Sequence, residues 1–328
     1  MAEKFAQGLA IKVPTVGFGC SSLTGSGRRN AFRNLEAAYE AGVRHFDVAR
    51  YYGFGESEEI LGSFLKRYRS QVTITTKFGI EPPKRTLGLS TAIGVGRRIV
   101  RFLPALRTRI QRTTQAFVKT GAFRVEEARA SLETSLRELK TDYVDYYLLH
   151  DYCPGPEPAH KLLMFLESAV KAGKVRRFGI GTSFESVLQT IERQPRLCDV
   201  VQFQNCVLTR TRERLRPANV DRLVITHGSL GSSYGAIRSF LMRNVEVAQS
   251  WTAELGIDVL NHGQLSSLML LYAAHVNPGG LVLFSSRDPA RVVSNAKALL
   301  ESNLSASQVS KFATLVDQEH SAIVQVDH

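Results

Sequence analysis

HFDVARYYGFGESEEILG, residues 45–62, contains a strand-like run, a polar loop and the start of a helical stretch, and this order of elements recurs along the chain. Its first residues belong to an apolar, β-branched run, Arg44–Val48, which predicts a buried strand. Its last residues open a helical stretch, Glu56–Tyr68, in which four apolar side chains share one face and three glutamates occupy the first turn, where the helix dipole favours negative charge. The stretch therefore predicts a strand, a polar loop and a helix in succession.

Runs of this strand type occur eight times, and helical stretches lie between them. The predicted strands are Val16–Cys20, Arg44–Val48, Val72–Thr76, Tyr143–Leu149, Val175–Gly181, Val200–Phe203, Leu223–Thr226 and Leu281–Phe284. Their continuous hydrophobicity is typical of parallel strands that are buried on both faces. Eight such strands alternating with helices predict an α/β protein with a (β/α)8 (TIM) barrel, and a doubly wound sheet is the alternative.

The predicted helices are amphipathic and carry end signals. They are Asn30–Ala41, Glu56–Tyr68, Val125–Leu139 and Glu157–Ala172, and the pair Asp288-Pro289 predicts the N-cap and first residue of a further helix. In Val125–Leu139 the stripe of Ala128, Leu132, Leu136 and Leu139 is the face expected to pack on the barrel.

Two intervals between the predicted strands are too long for one helix and its loops. They run from Phe78 to Asp142 and from His227 to Gly280, and they predict insertions after the third and seventh strands. Neither interval has the character of a domain boundary. We therefore predict a single barrel domain over residues 1–328, with a basic helical insertion at about 80–122.

The first insertion concentrates the positive charge of the chain. Residues 80–120 hold nine basic residues and one acidic residue, a net charge of +8 out of +12 for the protein. Apolar residues from Ile99 to Ile110 and arginines from Arg98 to Arg112 fall on opposite faces of an amphipathic basic helix, with a kink expected at Pro104. Three interpretations are open: a lid that packs on the barrel, a surface for a membrane or an acidic partner, and a site for anionic substrates.

Composition narrows the class of protein. Hydrophobic residues make up 44% and charged residues 22%, which excludes a disordered chain. The local concentration of charge disfavours a general nucleic-acid-binding protein. The four cysteines have no C-x-x-C spacing, the N-terminus has no signal-peptide pattern, and the apolar runs are shorter than the ~20 residues of a membrane span. These features favour a cytoplasmic protein without a metal site, and they leave its oligomeric state open.

Polar residues follow the predicted strands at the ends where barrel active sites lie. Asp47, Lys77 and His150 end the second, third and fourth strands, and Tyr52 lies on the loop after Asp47. A lysine ammonium beside a tyrosine favours the phenolate and lowers the tyrosine pKa, a carboxylate keeps the lysine charged, and a histidine can orient a carbonyl. The set predicts a proton donor for a carbonyl that receives a hydride.

Three segments resemble the aldo-keto reductase family: HFDVARYYGFGESEEILG at 45–62, TITTKFG at 73–79 and DYVDYYLLH at 142–150. The resemblance implies a (β/α)8 barrel that reduces an aldehyde or ketone with a nicotinamide nucleotide. It assigns Tyr52 as the proton donor, Lys77 and Asp47 as the residues that tune its pKa, and His150 as the residue that orients the carbonyl.

The resemblance also implies a set of cofactor-binding residues. Gln202 corresponds to a glutamine that binds the nicotinamide amide, and His227 replaces an aromatic residue that stacks on the nicotinamide. The serine and asparagine that follow strand five in the family fall near GIGTSF, either at Gly181 and Thr182 or at Thr182 and Ser183. The loop assigned to the pyrophosphate contains Gly228, Ser229, Leu230 and Ser232, and the adenosine end is assigned to Ser286, Arg287, Arg291 and Asn295.

Two arginines near the start of a helix suit a 2′-phosphate, which implies NADP(H). NAD(H) is the alternative, because Ser285 stands where many family members carry a lysine. A different functional class is also open. His227 and the altered GIGTSF segment are compatible with a non-catalytic barrel that binds the nucleotide as a sensor or adaptor. A barrel hydrolase is disfavoured, because no metal or nucleophile signature occurs.

Overall fold

The computed structural model describes residues 15–82, 119–155, 159–215 and 222–325. Within these ranges, eight parallel strands form a closed barrel in which each strand pairs with its neighbours in the chain and the eighth pairs with the first. The strands are β1 (Val16–Gly19), β2 (His45–Asp47), β3 (Thr73–Phe78), β4 (Val144–His150), β5 (Val175–Gly181), β6 (Val200–Gln204), β7 (Leu223–His227) and β8 (Leu281–Phe284). The predicted (β/α)8 barrel is confirmed, and the doubly wound sheet is wrong.

Helices surround the barrel. They are α1 (Arg28–Glu40), α2 (Glu56–Tyr68), α3 (Val125–Leu139), α4 (His160–Lys171), α5 (Phe184–Arg193), α6 (Thr211–Arg214), α7 (Gly231–Arg243), α8 (Val245–Leu255), α9 (His262–His275), α10 (Pro289–Leu300), α11 (Ala306–Gln318) and α12 (His320–Gln325). Short 3₁₀ turns span Leu23–Ser26, Tyr52–Gly55, Arg69–Gln71 and Pro195–Leu197. None of the helices in the described ranges has the length and apolar character needed to cross a membrane.

Helix ends follow the local signals in the sequence. The predicted bounds of α2 and α3 match the observed bounds, and the whole predicted apolar stripe of α3 is buried. Asp288 caps α10, because its Oδ1 accepts a hydrogen bond of 3.0 Å from the Ala290 N–H, and Pro289 is the first helical residue. The fourth predicted helix begins at His160 rather than Glu157, and residues 156–158 lie outside the described ranges.

The segments after β3 and β7 carry the extra length. After β3, Ile80–Glu81 pairs antiparallel with Lys119–Thr120, so the chain leaves and rejoins the rim of the barrel at one place. The predicted basic helix and most of the 80–122 insertion lie outside the described residues. After β7, the three helices α7, α8 and α9 precede β8, and they pack with α11 in an apolar cluster of their own.

The barrel interior is packed with side chains below the carboxyl ends of the strands. Inward-facing residues form one cluster: Tyr146, Leu148, Val200, Leu223, Ile225, Leu281 and Leu283. Gly17 on β1 makes room for this cluster, since a Cβ there would lie 2.5 Å from Leu283 Cδ2. The interior is filled at this level, and the described residues leave a cavity toward the carboxyl ends of the strands.

His45 is a buried histidine within this packed interior. Its Nδ1 lies 2.9 Å from Thr73 Oγ1, and its Nε2 lies 3.1 Å from Thr75 Oγ1. Burial lowers the pKa of His45 to about 4. The ring is therefore neutral at neutral pH and serves the packing of the barrel.

The free energy of unfolding is expected to fall as the pH is lowered from about 6.5 toward 4. In this window the unfolded chain binds the His45 proton and the folded chain does not, so stability is lost as the pH falls. Each pKa unit of difference is worth about 1.4 kcal/mol. Urea denaturation at several pH values in the window should give a shallower slope for His45→Gln than for the wild type.

His275→Gln is the matched control, because His275 is exposed at the end of α9. It should reproduce the wild-type slope. A slope that is the same in His45→Gln and in the wild type would show that the buried ring does not contribute to the pH dependence.

Candidate active site

A cavity of about 850 Å³ opens at the carboxyl ends of the strands. Asp47, Tyr52, Lys77 and His150, which come from β2, the loop after it, β3 and β4, all line this cavity. The structure thus brings together the four residues that the sequence singled out. Their distances and surroundings decide what chemistry they can perform.

Strand alternation directs the side chains of Asp47 and Lys77 into the barrel. Asp47 pairs in register with Thr75, and Lys77 lies two residues beyond Thr75 on the same face of β3. His150 is the last residue of β4, opposite Gly181 of β5. Parallel strands end at the same edge, so the three side chains meet at one level of the barrel.

A tight turn returns Tyr52 to this level. The Tyr52 N–H donates to the Ala49 carbonyl at 3.0 Å, and Gly53, Phe54 and Gly55 follow with φ values of 59°, 56° and 85°. Glycine is required at position 53, because a Cβ there would lie 2.6 Å from Thr24 Cγ2. The turn ends where α2 begins, at Glu56.

Lys77 connects the polar groups of the site. Its Nζ donates to Asp47 Oδ1 at 2.5 Å, to the Val48 carbonyl at 3.2 Å and to Tyr52 Oη at 3.3 Å. The ammonium has three donors, so all of them are used. The other carboxylate oxygen of Asp47, Oδ2, accepts a hydrogen bond of 2.8 Å from Gln202 Nε2. Asp47 and Lys77 are therefore held in one geometry.

Burial and charge act in opposite directions on the pKa of Tyr52. Burial raises it, Lys77 lowers it, and the net result is a raised pKa. The predicted effect of the lysine is present, but the expected net lowering of the tyrosine pKa is wrong, because burial, which the sequence-based prediction did not include, outweighs the ammonium. Burial opposes the charge on Lys77, but Asp47 and Tyr52 outweigh it, and the pKa of Lys77 is raised. The pair is therefore a neutral phenol beside an ammonium at neutral pH.

His150 lies next to Tyr52 on the wall of the cavity. The two rings meet edge to face, with centroids 5.8 Å apart and an angle of 84°. Burial, with the charge of Lys77, lowers the pKa of His150 to about 3, so the ring is neutral. Its Nδ1 is buried and has no hydrogen-bond partner among the described residues. A neutral imidazole keeps one N–H, which can donate a hydrogen bond to a carbonyl oxygen.

Five of the residues predicted to bind the nucleotide line the same cavity: Gln202, His227, Gly228, Ser229 and Leu230. The surrounding protein excludes water from the His227 ring, and this desolvation lowers its pKa. A neutral ring therefore faces the cavity at the end of β7. Ser229 is buried, and its Oγ has no partner within the part of the chain that the structure describes. Thr182 and Ser183 both reach the cavity, and Ser183 Oγ also caps α5.

The remaining predicted nucleotide residues lie outside the cavity. Ser232 is exposed in the first turn of α7, and Asn295 is buried in α10. Arg287 and Arg291 are exposed at the start of α10, where Arg291 Nε lies 3.8 Å from Asp288 Oδ2. Ser286 lies beside them, with its Oγ accepting from the Asp288 N–H at 3.1 Å.

Arg287 extends from the start of α10 toward the loop after β1. Its side chain lies against Gly25, since a Cβ there would be 3.2 Å from Arg287 Cδ. Its carbonyl accepts a hydrogen bond of 2.6 Å from Asn30 Nδ2 of α1. The exposed arginines therefore border a surface between the start of α10 and the loop after β1.

Several cavity residues were not found from the sequence. They are Asp151, Glu185, Gln204, Thr209, Thr211, Arg214 and Phe284. Gln204 could have been found, because it follows Gln202 by two residues on β6 and shares its face. The loop and helix residues carry no such periodic signal. The described part of the chain holds no group of three or more His, Cys, Asp or Glu side chains placed to bind a metal ion.

The barrel, together with a tyrosine held by a lysine–aspartate pair at the strand ends, defines the class of (β/α)8-barrel oxidoreductases. Residues 15–222 match the model of the Aldo/keto reductase family, which is more than half of the 328 residues. The chain therefore belongs to the aldo/keto reductase family, a family of oxidoreductases that use nicotinamide nucleotides.

Individual relatives are distant in sequence. Aldo-keto reductase YhdN from Bacillus subtilis (strain 168) is 26% identical over 80% of this chain and 68% of its own length. Aldo-keto reductase AFTS1 from Alternaria alternata is 32% identical over 60% of this chain and 54% of its own. D-threo-aldose 1-dehydrogenase from Pseudomonas sp is 32% identical over 58% and 57%. The chain thus spans just over half the length of the last two relatives.

Solved structures share the fold. An aldo-keto reductase from Klebsiella pneumoniae in complex with NADPH has a TM-score of 0.63 at 21% identity, over 93% of this chain and 91% of that one. Glycerol dehydrogenase from Gluconobacter oxydans has a TM-score of 0.67 at 19% identity, over 95% and 94%. At these identities the likeness establishes the architecture of the barrel.

Proposed function

We propose that this protein reduces an aldehyde or a ketone to an alcohol with NADPH, and that Tyr52 is the proton donor. The observation that carries the proposal is the hydrogen-bonded chain from Gln202 through Asp47 and Lys77 to Tyr52 Oη on the wall of the cavity. The solved Klebsiella relative binds NADPH, and the names of two relatives, an aldose dehydrogenase and a glycerol dehydrogenase, describe oxidation and reduction at alcohol or carbonyl carbons.

The residues around the cavity fit a nicotinamide nucleotide. Gly228 has a φ of 77°, and the buried Ser229 Oγ beside it has no partner among the described residues, so this loop offers polar groups to a phosphate. Arg287 and Arg291 stand exposed at the N-terminus of α10, where an anion is favoured. Gln202 and His227 would hold the nicotinamide end, and Leu230 and Ser232 belong with Gly228 and Ser229 to the loop assigned to the pyrophosphate. The residues assigned to the adenosine end are Ser286, Arg287, Arg291 and Asn295.

When bound, the nucleotide supplies a hydride to the carbonyl carbon. The residues of the chain act on the oxygen. The neutral imidazole of His150 and the phenol of Tyr52 donate hydrogen bonds to the carbonyl oxygen and orient it. As negative charge develops on that oxygen, the Tyr52 proton moves to it, and the Lys77 ammonium stabilises the resulting phenolate. Asp47 keeps Lys77 charged, and Gln202 fixes the carboxylate of Asp47.

The test is whether the purified protein oxidises NADPH, measured as a fall in NADPH absorbance, when it is given a panel of small aldehydes and ketones. Turnover supports the proposed reductase. NADPH binding without turnover of any member of the panel supports the second candidate, a nucleotide-binding sensor or adaptor. The specific observation that favours the second candidate is His227, since an imidazole offers less stacking area at the nicotinamide than the aromatic residue it replaces.

Arg291→Ala is expected to weaken NADPH binding and leave NADH binding almost unchanged. A charge-assisted hydrogen bond to the 2′-phosphate contributes about 1.5–3 kcal/mol, so a loss of about tenfold or more in NADPH affinity is expected. Asp288 opposes this binding only in part, because its Oδ1 is used as the helix cap. Titration of both nucleotides by fluorescence measures the effect.

Lys297→Ala provides a matched control, because Lys297 is an exposed cation on the same helix, toward its other end. It should bind both nucleotides as the wild type does. Equal losses of NADPH and NADH in Arg291→Ala, or a wild-type preference for NADH, would contradict the assignment of the 2′-phosphate to Arg291.

A further inference from the structure

A carboxylate that the proposed reaction does not use is buried directly behind the active site. Glu58, in the first turn of α2, is 0% exposed. Its Oε1 accepts a hydrogen bond of 2.6 Å from Thr76 Oγ1, and its Oε2 accepts one of 2.7 Å from Arg50 Nη1. The Arg50 side chain is 17% exposed. The ion pair is thus almost entirely removed from solvent.

Both partners of Glu58 adjoin proposed catalytic residues. Thr76 precedes Lys77 on β3, and strand alternation turns Thr76 outward to α2 while Lys77 points into the cavity. Arg50 lies two residues before Tyr52 on the loop after β2. One carboxylate therefore ties the strand that carries the lysine to the loop that carries the tyrosine.

The backbone around Tyr52 needs such a tether. Phe54, two residues after Tyr52, has a φ of 56°, a conformation that a side chain with a Cβ adopts rarely. Residues in this region persist where the surrounding structure fixes them. Upstream of Tyr52, Val48 and Arg50 lie along β3, with the Val48 N–H donating to the Thr75 carbonyl at 2.9 Å. The Arg50–Glu58 pair adds the side-chain contact on the outer side of this segment.

Stability alone is a weak explanation for a buried ion pair. The desolvation of two charges offsets most of their attraction, so such a pair adds little to the net free energy of folding. The pair does restrict geometry, because each of its hydrogen bonds has a fixed length and direction. The two segments that this pair joins carry Tyr52 and Lys77, whose Oη and Nζ lie 3.3 Å apart.

We propose that Glu58 is a positioning residue, whose carboxylate holds Tyr52 and Lys77 in register through Arg50 and Thr76. The kinetic part of the proposal rests on the proposed function, in which Tyr52 donates the proton. The structural part, that the Tyr52–Lys77 distance depends on Glu58, is independent of any activity.

The test is Glu58→Gln, which keeps the shape of the side chain and removes its charge. A displacement of about 1 Å in a catalytic group can lower turnover by about a hundredfold, so we expect kcat to fall about ten- to a hundredfold. The KM for the aldehyde and the Kd for NADPH should stay within about twofold, because neither contact involves this pair. Counting NADPH-binding sites corrects kcat for any unfolded fraction.

Glu59→Gln is the matched control. It removes a negative charge from the same first turn of α2, and Glu59 is partly exposed, where it pairs with Arg28 at 2.8 Å. Its kcat should equal that of the wild type. Arg50→Lys, which retains the charge, should recover most of the kcat that Arg50→Gln loses.

The double variant Arg50→Gln, Glu58→Gln guards against a folding defect, because it leaves no unpaired buried charge. It should show the same loss of kcat as Glu58→Gln. Crystal structures of the wild type and Glu58→Gln give the second readout, in which the Tyr52 Oη–Lys77 Nζ distance should lengthen in the variant.

A wild-type kcat in the double variant, or an unchanged Tyr52–Lys77 distance in Glu58→Gln, would overturn the proposal. A wild-type protein that reduces no carbonyl would overturn the proposed function instead, and the crystal structures would still decide whether Glu58 positions the two side chains.

Discussion

Tyr52→Phe is expected to lower the turnover number by about 10²–10⁴-fold, the range typical for the loss of a general acid. The substitution removes one oxygen from a ring that keeps its edge-to-face contact with His150. Nucleotide affinity should therefore stay within about twofold, since the assigned nucleotide residues are untouched. Steady-state kinetics with NADPH and a small aldehyde, combined with a nucleotide titration, measure both quantities.

Tyr51→Phe is the matched control for this prediction, because Tyr51 is a partly buried tyrosine on the same loop and does not line the cavity. It should retain turnover close to that of the wild type. The assignment of Tyr52 would be wrong if Tyr52→Phe kept more than half of the wild-type turnover while a deuterium isotope effect from labelled NADPH showed that chemistry limits the rate.

Lys77→Met is expected to lower both turnover and stability. The ammonium is 2% exposed and is the closest charge to Asp47, so its removal leaves that carboxylate buried and uncompensated. Breaking a buried ion pair from one side typically destabilises a protein by about 3–5 kcal/mol. Turnover should fall by about a hundredfold or more, because the phenolate of Tyr52 loses the charge that stabilises it.

The double variant Lys77→Met, Asp47→Asn separates the two effects. Its free energy of unfolding should recover most of the loss, since no unpaired charge remains, while its turnover should stay as low as that of Lys77→Met. Urea denaturation and steady-state kinetics on the three proteins supply the comparison. A Lys77→Met protein as stable as the wild type would mean that Asp47 is compensated in another way.

The strands and several helices could be predicted because their signals are local. A strand buried on both faces is apolar at consecutive positions, and this is why β7 and β8 are visible in the runs LVITH and LVLF. The ends of α2 and α10 are equally local, since glutamates in a first turn and an Asp-Pro pair act within one turn of helix. The structure after β7, with three helices before β8, has no such short-range pattern.

The four polar residues at the strand ends could be predicted from the sequence, whereas other cavity residues and the electrostatics of the site could not. Asp47, Lys77 and His150 are found by their positions at strand ends, because parallel strands in a barrel end at one edge. The hydrogen bond from Gln202 to Asp47 joins residues 155 positions apart in the chain. In the sequence, Glu58 is indistinguishable from the other two glutamates that the helix dipole favours in the first turn of α2. Its contacts with Arg50 and Thr76 form only when α2 packs on β3.

By itself the sequence determined an alternation of eight strands with helices that favours a (β/α)8 barrel. It also placed Asp47, Lys77 and His150 at the ends of the second, third and fourth strands and Tyr52 on the loop after the second. Hydrophobic periodicity and helix-end signals involve residues only a few positions apart, so they can be recognised from the sequence alone. Only the tertiary structure decided that the pKa of Tyr52 is raised and that His150 is neutral. Those properties depend on how much water the closed barrel excludes and on which charges it brings within a few ångströms, and both follow from contacts between residues that are far apart in the chain.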